Sequence, residues 1–245
     1  MSQVREESHW ASVEGEKVSL VLHLPESTPA FCAVACHGLG ASKASEKYLL
    51  LGREFPRRGL ALCRFDFRGC GESDGSYADS TMAGRVRDLR AVLELLVGHP
   101  SLDGRFGLLG SSMGGFVALF VASEMRTVAP VVTWSCPATL RGLEARQDAD
   151  VAGLGPAFFA ELRTRRYADA PPGIPWTLTV QGDRDEVVPP EHGHRLYDQA
   201  SAPRRVVILE GADHRLSDMT HRTRAVAESL RWFERYLRVR AGLTS

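Results

Sequence analysis

The sequence has no excess of charge of either sign, because its 30 lysine and arginine side chains are balanced by 30 aspartates and glutamates. It therefore offers no electrostatic footprint for nucleic acid or for an anionic membrane, and we expect neither as a partner. It also lacks an apolar run as long as a membrane span. Its first seven residues are polar and acidic, unlike the apolar centre of a signal peptide. These absences predict a cytoplasmic protein.

Cysteine is scarce as well, with five residues in a chain of 245. Three of them lie in strand-like apolar runs, which is typical of core cysteines in a reducing compartment and not of a disulfide framework. No Cys and His residues have the spacing of metal ligands, and no His-Glu-x-x-His helix occurs. The sequence thus predicts neither a metal nor a cofactor. No repeat or low-complexity segment is visible, and the length fits a single domain over residues 1–245.

The most informative feature that is present is a Gly-x-Ser-x-Gly motif at residues 110–114. An apolar run at 105–109 precedes it, and residues 115–122 have the composition of a buried helix. A strand, a sharp turn and a helix together expose a serine hydroxyl above a sheet, and small residues are needed where the two backbones nearly collide. The motif alone is common, but this context predicts that Ser112 is a nucleophile and not part of a plain glycine-rich turn.

A serine nucleophile needs a base, and the base needs an acid that holds it. In the fold that places a serine at a strand-turn-helix motif, the three residues follow one another along the chain in the order serine, acid, histidine. Both partners are therefore expected after Ser112. A buried strand near 175–181 leads into an acidic turn that contains Asp183, Asp185 and Glu186. Asp183 follows the strand directly, where an aspartate often only caps the turn. We favour Asp185, in the middle of the loop, and keep Asp183 as the alternative.

His214 is the candidate base, because it turns off the end of another buried strand near 205–210. Open parallel sheets place their sites at the carboxyl ends of strands. An isolated histidine in a loop would be interpreted as a surface residue, but His214 follows both Ser112 and Asp185, and a strand precedes each of the three. This order favours a catalytic histidine.

Two backbone N–H groups are expected to hold the oxyanion. One is that of Met113, the residue after the nucleophile. The other is that of Leu39, in the glycine-flanked loop 37–40 that follows a strand near 31–36. His37 begins this loop, and we interpret it as a residue that shapes the loop by hydrogen bonding.

Taken together, these motifs resemble those of the α/β hydrolases, and among them the small cinnamoyl or feruloyl esterases and the serine aminopeptidase-like hydrolases. The segments that carry the resemblance are 37–40, 66–75, 110–114, 182–188 and 210–214. The resemblance implies an α/β-hydrolase fold, with a mostly parallel eight-stranded sheet flanked by helices and a short lid insertion at about 136–172. It puts nucleophile, acid and base on Ser112, Asp185 and His214. Cys70 departs from the pattern, because such sequences commonly have histidine there, and the insertion is shorter than the lid of the cinnamoyl esterases.

The rest of the chain is organised as that fold requires. Residues 9–24 alternate around a turn and predict an antiparallel hairpin. Strands are then expected near 31–36, 60–66, 105–110, 128–134, 175–181 and 205–210, in alternation with helices. One helix is expected near 82–97, where the apolar residues share a face, and another near 219–239.

The substrate pocket is the least defined part of the prediction. Segments 141–146 and 158–163 would form short lid helices over Ser112, and Trp134 fits a pocket or the core about equally well. The residues that we assign to the pocket are His37, Gly38, Trp134, Phe158 and Phe159. Three arginines at positions 163, 165 and 166 would bind an anionic substrate group or simply face solvent, and the second interpretation is favoured.

The sequence therefore predicts a serine hydrolase that cleaves short or medium acyl or aryl esters through an acyl-enzyme, with a small-molecule ester as its partner. A serine peptidase, a thioesterase or an acyltransferase would use the same residues. A dienelactone hydrolase would carry cysteine at position 112 and a dehalogenase aspartate, so both are disfavoured. The non-enzyme alternative is a catalytically silent ligand-binding homologue, against which the intact Ser112, Asp185 and His214 argue. The oligomeric state is not predicted.

Overall fold

A computed structural model describes residues 4–125, 128–143, 151 and 153–242 of the chain. Eight strands of these residues form one sheet. They are β1 (Arg5–Val13), β2 (Glu16–Leu24), β3 (Ala30–Cys36), β4 (Ala61–Phe65), β5 (Leu102–Ser111), β6 (Val128–Trp134), β7 (Thr177–Gly182) and β8 (Arg204–Leu209).

The strand order across the sheet is β1-β2-β4-β3-β5-β6-β7-β8. Strands β1 and β2 form the antiparallel hairpin, and β2 is also antiparallel to β4. All remaining neighbours are parallel. The predicted α/β-hydrolase fold with a mostly parallel eight-stranded sheet is confirmed. Because β3, β5, β7 and β8 are parallel, the loops that follow them emerge at the same edge of the sheet.

Six α-helices lie among the described residues. They are α1 (Glu46–Arg57), α2 (Met82–Val97), α3 (Met113–Glu124), α4 (Pro156–Arg163), α5 (Pro190–Gln199) and α6 (Met219–Gly242). The bounds of α2 equal the expected 82–97, and its first turn is capped by the Thr81 hydroxyl, which accepts a hydrogen bond from the N–H of Gly84 at 3.0 Å. No helix of the described residues is both long and apolar enough to cross a membrane.

The core consists of two apolar layers, one on each face of the sheet. Successive residues of a strand point to opposite faces, so Val34 and Cys36 of β3 belong to the layer that includes α2 and α3. Ala33 and Ala35 belong to the layer that includes α1 and α6. All five cysteines are buried free thiols. They pack in the core and form no disulfide, which agrees with the interpretation of their spacing.

The insertion after β6 is attached to the body of the molecule. Residues 144–150 and 152 lie outside the described residues, and with them half of the expected lid segment 141–146. The carboxylate of Glu161 in α4 accepts hydrogen bonds from the N–H groups of Met82 at 2.6 Å and Ala83 at 3.1 Å, at the start of α2. An acidic group there is stabilised by the unpaired N–H groups of the first helical turn. Helix α4 is thereby held against α2.

Candidate active site

Ser112 lies at the sharp turn between β5 and α3. Its backbone has φ 54° and ψ −127°, a strained conformation for a residue with a side chain, and its N–H donates a hydrogen bond to the carbonyl of Trp134 at 2.8 Å. A Cβ atom added to Gly110 would overlap the backbone of Gly114, and one added to Gly114 would overlap the carbonyl oxygen of Cys36. Both glycines of the motif are therefore required by close contacts of the backbone.

The side chains of Ser112, His214 and Asp185 form one hydrogen-bonded chain. The Nε2 atom of His214 lies 3.1 Å from the Oγ atom of Ser112. The Nδ1 atom of His214 lies 2.9 Å from both carboxylate oxygens of Asp185. Since a carboxylate accepts hydrogen bonds, it holds the proton on Nδ1, and the lone pair of Nε2 faces the serine hydroxyl. This arrangement is able to take a proton from Ser112.

Asp185 is held in place from the side opposite to the histidine. Its Oδ1 atom accepts hydrogen bonds from the N–H groups of Val187 at 3.0 Å and Val188 at 2.7 Å. The side-chain amide of Gln181, at the end of β7, donates to Oδ2 at 3.0 Å and to the carbonyl of Val188 at 2.8 Å. Asp185 is only 4% exposed. The loop thus wraps around this carboxylate and fixes its direction towards His214.

The competing carboxylates lie elsewhere. Asp183 is exposed, and its Oδ1 atom accepts a hydrogen bond from the N–H of Gly211 at 2.6 Å, which joins the loop after β7 to the loop after β8. Glu186 is exposed to solvent. Of the three acidic residues in this turn, the structure brings only Asp185 to His214 among the contacts of the described residues.

The loop that follows β3 passes directly beside the serine. A Cβ atom added to Gly38 would lie 3.1 Å from the Cβ atom of Ser112. The N–H groups of Leu39 and Met113 have no hydrogen-bond acceptor within the described part of the chain. Two unpaired N–H groups close to a nucleophile are the donors that an oxyanion requires.

His37 fixes the conformation of that loop. It is 1% exposed; its Nδ1–H donates to the carbonyl of Gly38 at 2.8 Å, and its Nε2 accepts from the N–H of Phe67 at 3.0 Å. Burial, and next the positive charge of Arg85, lower the pKa of His37 to about 4. The imidazole is therefore neutral at physiological pH and joins the loops after β3 and β4, so its expected role in shaping the loop is consistent with these contacts.

The same loop is tied down further along by a buried carboxylate. The Oδ1 atom of Asp66 accepts from the backbone N–H of Lys43 at 2.6 Å, and its Oδ2 atom from the Lys43 ammonium at 2.5 Å and from the N–H of Glu72 at 3.0 Å. A Cβ atom added to Gly71 would overlap this carboxylate. The segment 66–75 is thus a support for the loop beside Ser112.

Two cavities open onto the serine, and the first is mainly apolar, although Thr139, Arg141 and His192 also line it. It has a volume of about 190 Å³. Its aliphatic and sulfur-containing lining comes from Leu39, Met113, Pro137, Leu140, Leu143, Val151, Val187 and Val188. We call it the apolar cavity. Part of its wall belongs to the insertion, so the insertion contributes to the substrate site through residues before α4.

The second cavity, which we call the basic cavity, has a volume of about 410 Å³ and lies between the start of α1 and the loop that carries His214. Its cationic lining residues are Lys47, Arg215 and Arg222. The Lys47 ammonium donates to the Oγ atom of Ser111 at 2.7 Å. Burial, followed by repulsion from Arg222 and Arg215, lowers the pKa of Lys47 to about 8.

Most of the residues predicted for the pocket lie outside both cavities, and the prediction is wrong for these. Trp134 and Phe158 are completely buried. The indole N–H of Trp134 donates to Ser229 of α6 at 3.0 Å, on the sheet face away from the insertion. Phe158 packs into the layer of α2 and α3 because α4 is anchored there. His37 lies behind the loop, and only Gly38 lines the basic cavity.

Phe159 faces a different hollow, which it shares with Arg163 and Arg165 and not with Ser112. The arginines at 163, 165 and 166 are exposed, as the favoured interpretation expects. Three residues at the site were missed: Lys47, Gln181 and His192, whose Nδ1 accepts from the N–H of Ala138 at 2.9 Å beside the apolar cavity. Lys47 and His192 have no local signal in the sequence, because each acts through a contact with a distant segment. Gln181 contacts Asp185 and Val188 of the same strand and loop, and its place at the end of β7 is the signal that could have found it.

Comparison with known proteins supports the resemblance found in the motifs. Residues 28–164 match the family described as serine aminopeptidase, S33. The protein YfhR of Escherichia coli O157:H7 is 26% identical over 200 residues, which cover 78% of this chain and 67% of that protein. The mitochondrial palmitoyl-protein thioesterase ABHD10 of Mus musculus is 26% identical over 188 residues, which cover 65% of this chain and 61% of that protein. The match therefore spans less than two thirds of the length of ABHD10.

Solved structures share the fold. The structure of Est1E from Butyrivibrio proteoclasticus with ferulic acid bound superposes with a TM-score of 0.78 at 20% identity, and covers 92% of this chain and 99% of that one. Mouse ABHD10 superposes with a TM-score of 0.74 at 19% identity, and the match covers 94% of this chain and 99% of that one. At these identities the likeness concerns the fold alone.

Proposed function

This chain belongs to the serine aminopeptidase, S33, family of α/β hydrolases, and from that premise we propose that it is a serine esterase that cleaves carboxylic esters through an acyl-enzyme. The observation that carries the proposal is the hydrogen-bonded chain from Ser112 through His214 to Asp185. A catalytically silent homologue would have no need to keep a strained serine whose hydroxyl is hydrogen-bonded to Nε2 of a histidine. The alternative of a ligand-binding protein is therefore disfavoured.

The reaction begins with the transfer of the Ser112 proton to Nε2 of His214 while Oγ attacks the ester carbonyl carbon. Asp185 holds the tautomer that accepts this proton and stabilises the imidazolium that forms. The N–H groups of Leu39 and Met113 receive the negative charge of the carbonyl oxygen. His214 then gives the proton to the leaving alcohol, and a water molecule, activated by the same histidine, hydrolyses the acyl-enzyme.

The apolar cavity supports a preference for short or medium acyl groups, or for aryl groups of similar size. Its volume of about 190 Å³ is below the range of about 300–1,000 Å³ that is common for sites of drug-sized ligands. A long acyl chain would leave most of its methylenes in water. Thioesters are a second candidate class, because the relative ABHD10 is named a palmitoyl-protein thioesterase and the same residues serve both reactions. The size of the cavity argues against a palmitoyl group in this chain.

A panel of p-nitrophenyl esters from C2 to C16 tests the proposal. We expect kcat/KM to be highest for short or medium chains. Where a further methylene no longer fits, kcat/KM should fall by an amount that corresponds to about 1–3 kcal/mol of transition-state binding. Leu143→Ala enlarges the apolar cavity and should shift the optimum to longer chains. The matched control is Phe158→Ala, which removes a large side chain from the same insertion and should destabilise the fold by about 3–5 kcal/mol without a longer optimum. A wild-type preference for C16 over C4 contradicts this assignment of the cavity.

A further inference from the structure

The basic cavity next to Ser112 has more cationic groups than the proposed ester chemistry requires. Lys47 is contributed by α1, whereas Arg215 and Arg222 come from the loop after β8 and the start of α6. No ion pair of the described residues involves Lys47, whose ammonium donates to the hydroxyl of Ser111 and lies 5.7 Å from the centroid of the Tyr48 ring. An ammonium that is largely removed from water and lacks a carboxylate partner is costly unless an anion joins it.

The acidic groups nearby are already engaged. Glu46, the carboxylate that lines the cavity, forms an ion pair with Arg222. Asp185 is bonded to His214, and Asp213 accepts a hydrogen bond from the N–H of Ser217 at 2.8 Å. These contacts leave the positive charge of Lys47 without a carboxylate partner on the cavity wall.

The start of α1 adds neutral donors to the same wall. Ser45, Glu46 and Lys47 line the cavity, and the side chain of Ser45 does not cap the helix. The backbone N–H groups of Glu46 and Lys47 have no acceptor among the described residues. Unpaired N–H groups of a first helical turn favour negative charge near them, and here they lie beside an ammonium.

We propose that the basic cavity binds an anionic group, a carboxylate or a phosphate, that is part of the ester cleaved at Ser112. The inference rests on the proposed esterase function, and it defines the substrate class more closely. The basic and apolar cavities meet at Leu39, Ser112 and His214. The scissile ester therefore lies at their junction, with an apolar group on one side of it and an anionic group on the other.

Matched pairs of esters test the inference, since each pair differs in one charge. The carboxylate pairs are p-nitrophenyl hemiglutarate against p-nitrophenyl butyrate, and 4-butyryloxybenzoate against its methyl ester. The phosphate pair is 1-butyrylglycerol 3-phosphate against 1-butyrylglycerol. We expect kcat/KM to be about tenfold or more higher for the charged member of at least one pair, which is the size of a hydrogen bond to a charged group. The pair that shows the preference identifies whether the anion is a carboxylate or a phosphate. It also identifies whether the anion belongs to the acyl group, as in the hemiglutarate, or to the leaving alcohol, as in the other two charged esters.

The preference should depend on Lys47. In Lys47→Met the ratio of kcat/KM within the preferred pair should fall by about tenfold, and Arg215→Gln, which changes an exposed side chain, serves as a second variant if the first does not fold. Lys17→Met is the matched control, because Lys17 is an exposed lysine on β2, and its ratio should equal that of the wild type. The inference would be overturned if the ratio of kcat/KM within the preferred pair were the same in the wild type, in Lys47→Met and in Arg215→Gln.

A binding measurement separates this inference from the esterase proposal. Ser112→Ala keeps all the cationic residues of the basic cavity but removes turnover, so calorimetry with the intact charged and neutral esters reports binding alone. Tighter binding of the charged ester that is lost on adding Lys47→Met supports the anion site even if no ester is hydrolysed by the wild type. Hydrolysis of neutral esters without any preference for a charged partner overturns the anion site and leaves the esterase proposal in place.

Discussion

The Nε2 atom of His214 lies 3.1 Å from the Oγ atom of Ser112, although the two residues are 102 positions apart in the chain. The contact follows from the sheet, because both residues come directly after parallel strands whose carboxyl ends share an edge. Ser112, at the end of β5, is raised above that edge by its strained backbone. His214 reaches it from the loop after β8, the third strand from β5. The distance between these two atoms is therefore controlled by the sheet and by the two turns.

Replacing the serine tests the proposed nucleophile. Ser112→Ala removes the attacking oxygen and leaves the hydrogen bond from its backbone N–H to Trp134 in place, so the protein should keep its melting temperature. Turnover should fall by several orders of magnitude, to a residual of roughly 10³–10⁴ over water, and labelling by a fluorophosphonate probe should disappear. Esterase activity near that of the wild type would show that another residue is the nucleophile.

The two aspartates of the acidic turn should behave differently. Asp185→Asn should lower kcat by about 10⁴-fold, because an amide at this position favours the wrong imidazole tautomer. Asp183→Asn should leave kcat close to the wild-type value and lower the free energy of unfolding by about 1 kcal/mol, since its contact joins two loops. The measurements are kcat and urea denaturation of both variants. A larger loss of kcat in folded Asp183→Asn would reverse the assignment.

Glycine at position 114 should be required for both folding and catalysis. Gly114→Ala forces a Cβ atom into the carbonyl oxygens of Cys36 and His37, which begin the loop that carries the N–H of Leu39. We expect a loss of stability of about 1–3 kcal/mol or more, together with a lower kcat. Gly98→Ala is the control, because its φ is −87° and nothing lies within 4 Å of the added atom. Thermal unfolding and ester turnover should separate the two variants, and equal effects would contradict the close contact.

Stability should fall on mild acidification because of His37. The folded state holds the pKa of this residue at about 4, whereas the unfolded chain has the ordinary value of 6.5. Between these values the unfolded state binds more protons, so the free energy of unfolding decreases as the pH is lowered, by up to about 3 kcal/mol. Burial also lowers the pKa of His23 to about 4, and its contribution has the same sign.

Urea denaturation at pH 6.5 and 4.5 measures this slope. In His37→Gln the slope should be shallower but not absent, because His23 remains. His194→Gln, at an exposed position of α5, should retain the wild-type slope. A slope that His37→Gln leaves unchanged would mean that His37 does not titrate in this range.

The parts of the molecule that the sequence predicted well are those set by local pattern. The six central strands, the helix 82–97 and the turn at Ser112 each follow from apolar periodicity or from residues within a few positions of one another. The apolar alternation of β6 shows that Val132 and Trp134 share a face, but it does not say which face the insertion covers. Trp134 was therefore assigned to the pocket as readily as to the core, and it lies under α6.

Contacts between distant segments account for the rest. Phe158 is buried because Glu161 binds the start of α2, about eighty positions earlier in the chain, and nothing near Phe158 in the sequence indicates that partner. Lys47 reaches Ser111 only because α1 packs beside the end of β5. Its neighbours in the chain are ordinary for a helix start. Such residues become visible only when the strand order has placed their partners beside them.

The apolar and basic cavities have only Leu39, Ser112 and His214 in common. Apart from the neighbours of these three residues, the walls come from different segments. The insertion, the loop after β7 and α5 line the apolar cavity, and the start of α1, the loop after β8 and the start of α6 line the basic cavity. Substitutions in the two walls are therefore expected to have additive effects on kcat/KM. Substitutions in the apolar cavity should then change the selectivity for acyl-chain length, and substitutions in the basic cavity the selectivity for charge. Each selectivity should change without an effect on the other, in natural variants as in designed ones.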